Sequence, residues 1–192
     1  MENKRTVSEK AKRLIERNPV VFDTETTGLG RDAEIIEIAA MDMDGNVLVD
    51  SYVKPRGIIP KEATAVHGII LSDLPDAPTF DILWKGTLEE LFRRRVVCAY
   101  NVDFDMKMIR QSLRIYGLKP ARGIETVCLM RMFAEYRGDW DSRNNRYKWY
   151  SLENAARYFG LDIPEGLHRA IADTRLARLL LLKMAGEDMP AQ

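Results

Sequence analysis

Over residues 4–17, apolar Val7, Ala11, Leu14 and Ile15 recur at helical spacing, and Lys4, Lys10, Lys12, Arg13 and Arg17 make the remainder basic. Asn18-Pro19 stops that helix. Three strand-like runs follow, at residues 19–24, 34–43 and 46–54, and Asp44-Gly45 supplies hairpin chemistry between the last two. Beyond a proline-punctuated connection, the pattern predicts a helix over 79–95, a strand over 96–100 and a helix over 104–116 ended by Gly117. A short strand over 124–127 leads into a helix to about Tyr136, Ser151 caps a helix ending near Gly160, and residues 169–185 form a long last helix. A β-meander followed by alternating helices and strands predicts an α/β sandwich, with helices packed on a mixed sheet.

With 192 residues, 46% of them hydrophobic, the chain can bury a sizeable core as one compact domain. We divide it into a basic amphipathic helix at 1–18, a folded domain at 19–186 and a tail at 187–192. Lys plus Arg and Asp plus Glu both number 29, so no net charge draws the protein toward phosphate polymers, and any nucleic-acid binding must be local. Cys98 and Cys128 lack the paired spacing of a zinc or redox site and read as reduced packing residues. No apolar run approaches the roughly 18 residues that span a bilayer, and the charged start lacks a signal peptide's apolar region. The expectation is a cytoplasmic protein with no membrane partner.

The chemistry concentrates in acids. In Val20-Val21-Phe22-Asp23-Thr24-Glu25-Thr26-Thr27-Gly28, two carboxylates lie two residues apart at the end of an apolar strand, so they face the same way. Such a pair repels unless a cation or donor compensates, and all-oxygen ligation suits Mg²⁺ or Mn²⁺ rather than zinc. A strand end where both acids simply reach water is the bland alternative. Asp105 at a helix entry and Asp173 early in the last helix occupy element ends that can converge on a strand edge. Asp103 competes with Asp105, and spacing does not choose between them. His168 and Asp173, five apart, differ by about 140° on a regular helix, so His168 should precede it, in a loop that Gly166 frees to move.

These residues resemble the DEDDh branch of the 3′-to-5′ exonucleases, the group of the bacterial polymerase proofreading subunit, ribonuclease T and oligoribonuclease. Residues 21–28 are similar to the first motif, Asn101-x-x-Phe104-Asp105 to the second and His168-x-Ala170-x-x-Asp173 to the third, framing residues 20 to about 182. The resemblance selects Asp105 over Asp103. It implies a ribonuclease-H-like fold with a five-stranded mixed sheet and helices on both faces, so that 19–186 would be an exonuclease domain. It also implies four carboxylate ligands, Asp23, Glu25, Asp105 and Asp173, holding two Mg²⁺ or Mn²⁺ ions. His168 would be the general base, since an ordinary imidazole titrates near pH ~6.5. Ala65-Val66-His67-Gly68-Ile69 is similar to a family element, so His67 should contact substrate, as should Thr26, Gly28, Leu29, Asn101 and Phe104. Many members have His where this chain has Tyr100, which bears on subfamily and substrate preference, not catalysis.

The expected reaction is removal of nucleoside 5′-monophosphates from the 3′ end of nucleic acid, with single-stranded DNA favoured over RNA. A polymerase or repair protein is the expected partner. An RNA-specific exoribonuclease and a non-catalytic binding module on the same fold are the alternatives. Two segments stay open: the basic helix could bind a partner or the substrate strand, or simply pack on the domain. Residues 140–150 interleave Trp140, Tyr147, Trp149 and Tyr150 with Arg143, Arg146 and Lys148, a mix that can stack bases and meet phosphates or merely anchor the next helix.

Overall fold

The computed structural model describes residues 2–163 and 167–186; the expected tail at 187–192 and Gly166 lie outside them. In chain order the elements are α1 (Glu2–Glu16), β1 (Val20–Thr26), β2 (Ile35–Met41), β3 (Val47–Tyr52) and α2 (Lys61–His67). Then come α3 (Phe80–Leu83), a π-helical turn (Trp84–Leu88), α4 (Glu89–Arg94), β4 (Val97–Ala99) and α5 (Val102–Ile115). The chain closes with β5 (Thr126–Cys128), α6 (Leu129–Arg137), β6 (Trp140–Asp141), β7 (Arg146–Tyr147), α7 (Leu152–Tyr158) and α8 (Ala170–Ala185).

The main sheet runs β3-β2-β1-β4-β5, antiparallel across β3, β2 and β1 and parallel from β1 through β4 to β5. This is the five-stranded mixed sheet expected. Alternation along β1 divides the core in two: Val20 and Phe22 join Trp84, Phe92, Met108 and Ile109 on one face, while Val21 joins Val7, Ala11, Phe133 and Leu180 on the other. The first face is therefore covered by α3, α4 and α5, and the second by α1, α6 and α8. The basic remainder of α1 stays at the surface while Val7, Ala11 and Leu14 are buried.

Three local features depart from the pattern reading. The helix expected over 79–95 holds the π turn, which keeps Trp84, Leu88 and Phe92 on one buried stripe. The proline-punctuated connection contains α2, entered at Pro60 and ended by Gly68 in the left-handed region at φ 76°. Residues 140–147 form a two-stranded hairpin rather than an irregular loop. Ser151 caps α7 as expected, its hydroxyl accepting from the Asn154 amide at 3.2 Å.

Two elements place the site. On α8, Ala177, Leu180, Leu181 and Met184 are buried against the sheet, and Asp173 sits one turn before Ala177 on the same stripe. The helix is pinned by Thr174, whose hydroxyl donates to the Ala39 carbonyl at 3.3 Å, and by buried Arg178, which donates twice to the Met43 carbonyl at 3.0 and 2.7 Å. On β1, Asp23 and Glu25 continue the line of Val21 on the face that α8 covers. The register shifts between Glu25 and Thr26, a bulge of the kind that re-aims side chains beside functional sites.

Candidate active site

Asp23, Glu25 and Asp173 each bring one carboxylate oxygen into a group whose atoms all lie within 4.8 Å of one another. Asp105 stands beside this trio rather than in it. It is buried in the first turn of α5, and its Oδ1 accepts from the Thr24 hydroxyl at 2.8 Å. Asp103 is exposed and pairs with Arg131 at 3.0 Å, so burial separates the two acids that spacing left open.

Electrostatics in the cluster follows from burying like charges together. Burial, then Asp105, Asp173, Glu25 and Glu37, push the Asp23 carboxyl well above the usual carboxylate range. Burial and the neighbouring acids push Glu25 up to about 8. Burial pushes Asp105 up to about 7 against the hydrogen bonds from Thr24. Burial raises Asp173 as well, with the adjacent His168 opposing. Asp173 Oδ1 is buried with no hydrogen-bond partner among the described residues. A half-buried set of hard oxygen donors with an unsatisfied acceptor fits an oxygen-seeking divalent cation.

A pH dependence follows. These acids hold protons more tightly in the folded chain than in the unfolded one, so the metal-free fold binds the extra protons between Glu25's ordinary 4.5 and its folded value of about 8. Stability should therefore fall as pH rises through that window. In EDTA the melting temperature should be lower at about pH 8 than at about pH 5.5, and added Mg²⁺ should remove most of the fall by binding the folded state. A rise with pH in EDTA would contradict the buried cluster.

His168 lies immediately before α8, exposed, with φ 68°. Few non-glycine residues hold such a backbone without something fixing both flanks. The flank on the α8 side is fixed by Glu37, which no motif marked. Glu37, buried on β2 and the cross-strand partner of Glu25, accepts from Arg169 Nη2 at 2.6 Å, Arg169 Nε at 3.0 Å and the Ala170 amide at 2.9 Å. Arg169 also donates to the Tyr52 hydroxyl at 2.8 Å. The signal was present as one charge inside the apolar run Ile35-Ile36-Glu37-Ile38, but its partner is distant in sequence. Glu37→Ala should destabilise the fold by about 3 kcal/mol in urea unfolding, the low end for a broken buried pair because Arg169 keeps contact with water. A loss under ~1 kcal/mol would mean the network is not holding this corner.

A cavity of about 490 Å³ adjoins the acids and is lined by Glu25, Thr26, Gly28, Leu29, His67 and Phe104, among others. Five of the six expected substrate residues thus share one wall; Asn101 does not line it, and instead stands exposed at the start of α5. His67 is buried at the end of α2, its Nδ1 accepting from the Ile69 amide at 3.0 Å, and its Nε2 has no partner among the described residues. Burial holds its pKa below the ordinary histidine value, which favours the neutral ring. With Nδ1 accepting, Nε2 then carries the proton and is a donor. Tyr100 turns its hydroxyl from the acids to the Tyr150 carbonyl, at 2.7 Å.

The fold is ribonuclease-H-like, and its acidic centre lies where β1, α5 and α8 converge. The exonuclease family profile RNase T matches residues 20–181, and the chain belongs to that family. It is 40% identical over 179 residues to an uncharacterized exonuclease of Escherichia phage 186, covering 89% of this chain and 90% of that one. It is 32% identical over 178 residues to a PolC-type DNA polymerase III of Bacillus cereus, covering 89% of this chain but 12% of the polymerase. In fold it resembles the nuclease domain of 3′hExo, a DEDDh family member bound to rAMP, with TM-score 0.71 and 14% identity over 88% of this chain and 92% of that one. Cell-death related nuclease 4 is similar at TM-score 0.71 and 16% identity, the match covering 88% of this chain and 64% of the nuclease. Among the described residues no helix is long and apolar enough to cross a membrane.

Proposed function

We propose that the protein is a divalent-metal-dependent 3′-to-5′ exonuclease acting on single-stranded DNA and releasing nucleoside 5′-monophosphates. The observation that carries this reading is the convergence of Asp23, Glu25 and Asp173, with Asp105 alongside, at the edge of a cavity of about 490 Å³. Asp23, Glu25, Asp105 and Asp173 would hold two Mg²⁺ or Mn²⁺ ions. Such ions activate a water for attack on phosphorus and stabilise the leaving 3′-oxygen. The residues of the chain divide the remaining work. His168, exposed beside Asp173 and fastened through Arg169, takes the proton of the attacking water. His67, on the cavity wall, contacts the sugar or phosphate of the terminal nucleotide. Thr26, Gly28, Leu29 and Phe104 enclose that nucleotide, and Asn101 meets its sugar or phosphate from the start of α5.

The PolC relative favours work alongside a polymerase, since there the matching segment is part of a polymerase chain. The reaction is tested with 5′-labelled single-stranded DNA, duplex DNA and RNA of matched sequence, with Mg²⁺ and with Mn²⁺. Stepwise shortening from the 3′ end, fastest on single-stranded DNA, is expected. Faster loss of RNA would reverse the substrate assignment, and intact substrates with both ions would end the exonuclease reading.

A further inference from the structure

We propose that the β6–β7 hairpin is a second docking surface, which holds the single-stranded DNA leading into the active site. This rests on the exonuclease reading and deepens it. The hairpin root is fastened to the site: Tyr150, just past the hairpin, accepts from Tyr100, which precedes Asn101 at the entry to the helix carrying Asp105. A strand whose 3′ end reaches the acids therefore has the hairpin within reach of its upstream nucleotides.

The surface is aromatic and cationic at once. Trp140 and Trp149 are 52% and 48% exposed. Large exposed indoles are the side chains that serve recognition, because each offers a wide stacking face to any base. Both are held in place. Trp140 meets Tyr147 edge-on at 5.2 Å across the hairpin, and the Tyr147 hydroxyl accepts from Asn3 of α1 at 2.9 Å. Arg146 lies 3.5 Å over the Trp149 ring, fixing its orientation and setting a positive charge beside it.

Charge complementarity selects the occupant. The local acids are engaged in shaping the hairpin: Asp141 accepts from the Arg143 amide at 3.1 Å and the Asn144 side chain at 2.8 Å. Asp139 accepts from Tyr150 and from Arg137 at 2.9 Å. Arg143, Arg146 and Lys148 are exposed and make no direct salt bridge among the described residues; Arg146 stands across the ladder from Asp141 and Lys148 acts on Asp139, both at longer range. Exposed stacking faces interleaved with solvent-facing cations match the alternating bases and phosphates of a single strand. In a chain of zero net charge this is the local attraction that long-range steering cannot supply.

The test compares Trp140→Ala/Trp149→Ala and Trp149→Tyr with the wild type on a DNA dodecamer, an RNA dodecamer and a DNA dinucleotide. Anisotropy of a labelled DNA dodecamer with Ca²⁺ reads docking without turnover. Expected for the double alanine variant is dodecamer affinity weakened by at least the roughly 5- to 150-fold, or ~1–3 kcal/mol, of one base–aromatic stack, and by more where both indoles stack, with KM rising and kcat little changed. Preference for the dodecamer over the dinucleotide should shrink, and Trp149→Tyr should recover much of it. Unchanged dodecamer affinity in the folded double variant overturns the hairpin assignment. An equal loss on RNA overturns its assignment to DNA. A wild type that binds the dodecamer through the hairpin yet hydrolyses neither DNA substrate retains the docking surface while removing the exonuclease reading.

Discussion

Replacing Asp23, Glu25, Asp105 or Asp173 by its amide should each lower kcat by on the order of 10³-fold or more, because every one removes a charge from a set that must neutralise bound cations. The four act as a unit, so a double replacement should cost far less than the product of two singles. Folding does not explain the loss. The like charges at this site raise one another's pKa, so Asp23→Asn relieves repulsion and should raise the melting temperature in EDTA while abolishing the response to Mg²⁺. Asp103→Asn should stay within a few-fold of wild type, since its partner is exposed Arg131 and its removal disturbs no buried group. Full activity in Asp105→Asn with loss in Asp103→Asn would reverse the choice between them. Calorimetry that detects no Mg²⁺ or Mn²⁺ binding would favour a non-catalytic module on this fold.

What could be read from the sequence follows the range of the signal. The carboxylates of β1 were legible because alternation along a strand is a local rule, and Val21, Asp23 and Glu25 obey it. Asp173 was legible only as an acid near the start of the last helix; the face it occupies is set by the packing of α8 on the sheet. Asp103 and Asp105 could not be separated by local rules, because burial of one and exposure of the other depends on how α5 lies against Thr24. The family motif made that choice, and the structure supplies its physical content. The helix at Lys61–His67 is too short to display periodicity, and aromatic-basic composition is shared by hairpins and irregular loops. Glu37 and Arg169 illustrate a harder limit, since a lone charge in an apolar run marks Glu37 as unusual but nothing in either neighbourhood names its distant partner.

His168→Ala should lower kcat by roughly 10² to 10⁴-fold while leaving metal and DNA binding nearly intact, the usual value of a positioned proton transfer. The exposed ring is not one of the clustered carboxylates; it acts on them only by opposing the rise of the Asp173 pKa, so its removal should leave the set of cation ligands in place. Part of the lost rate should return at higher pH, where hydroxide replaces the proton acceptor that the variant lacks. Alanine at a backbone φ of 68° is strained, so His168→Asn, which tolerates that conformation better, separates loss of the base from distortion of the loop. Both variants should show the same rate defect. His67→Ala should behave differently, with the defect mainly in KM, because His67 lines the nucleotide cavity and serves binding throughout the reaction. The two histidines thus give opposite signatures in a KM-against-kcat split. Wild-type turnover in His168→Asn at neutral pH, with turnover abolished in His67→Ala, would move the proton acceptor from the start of α8 to the end of α2.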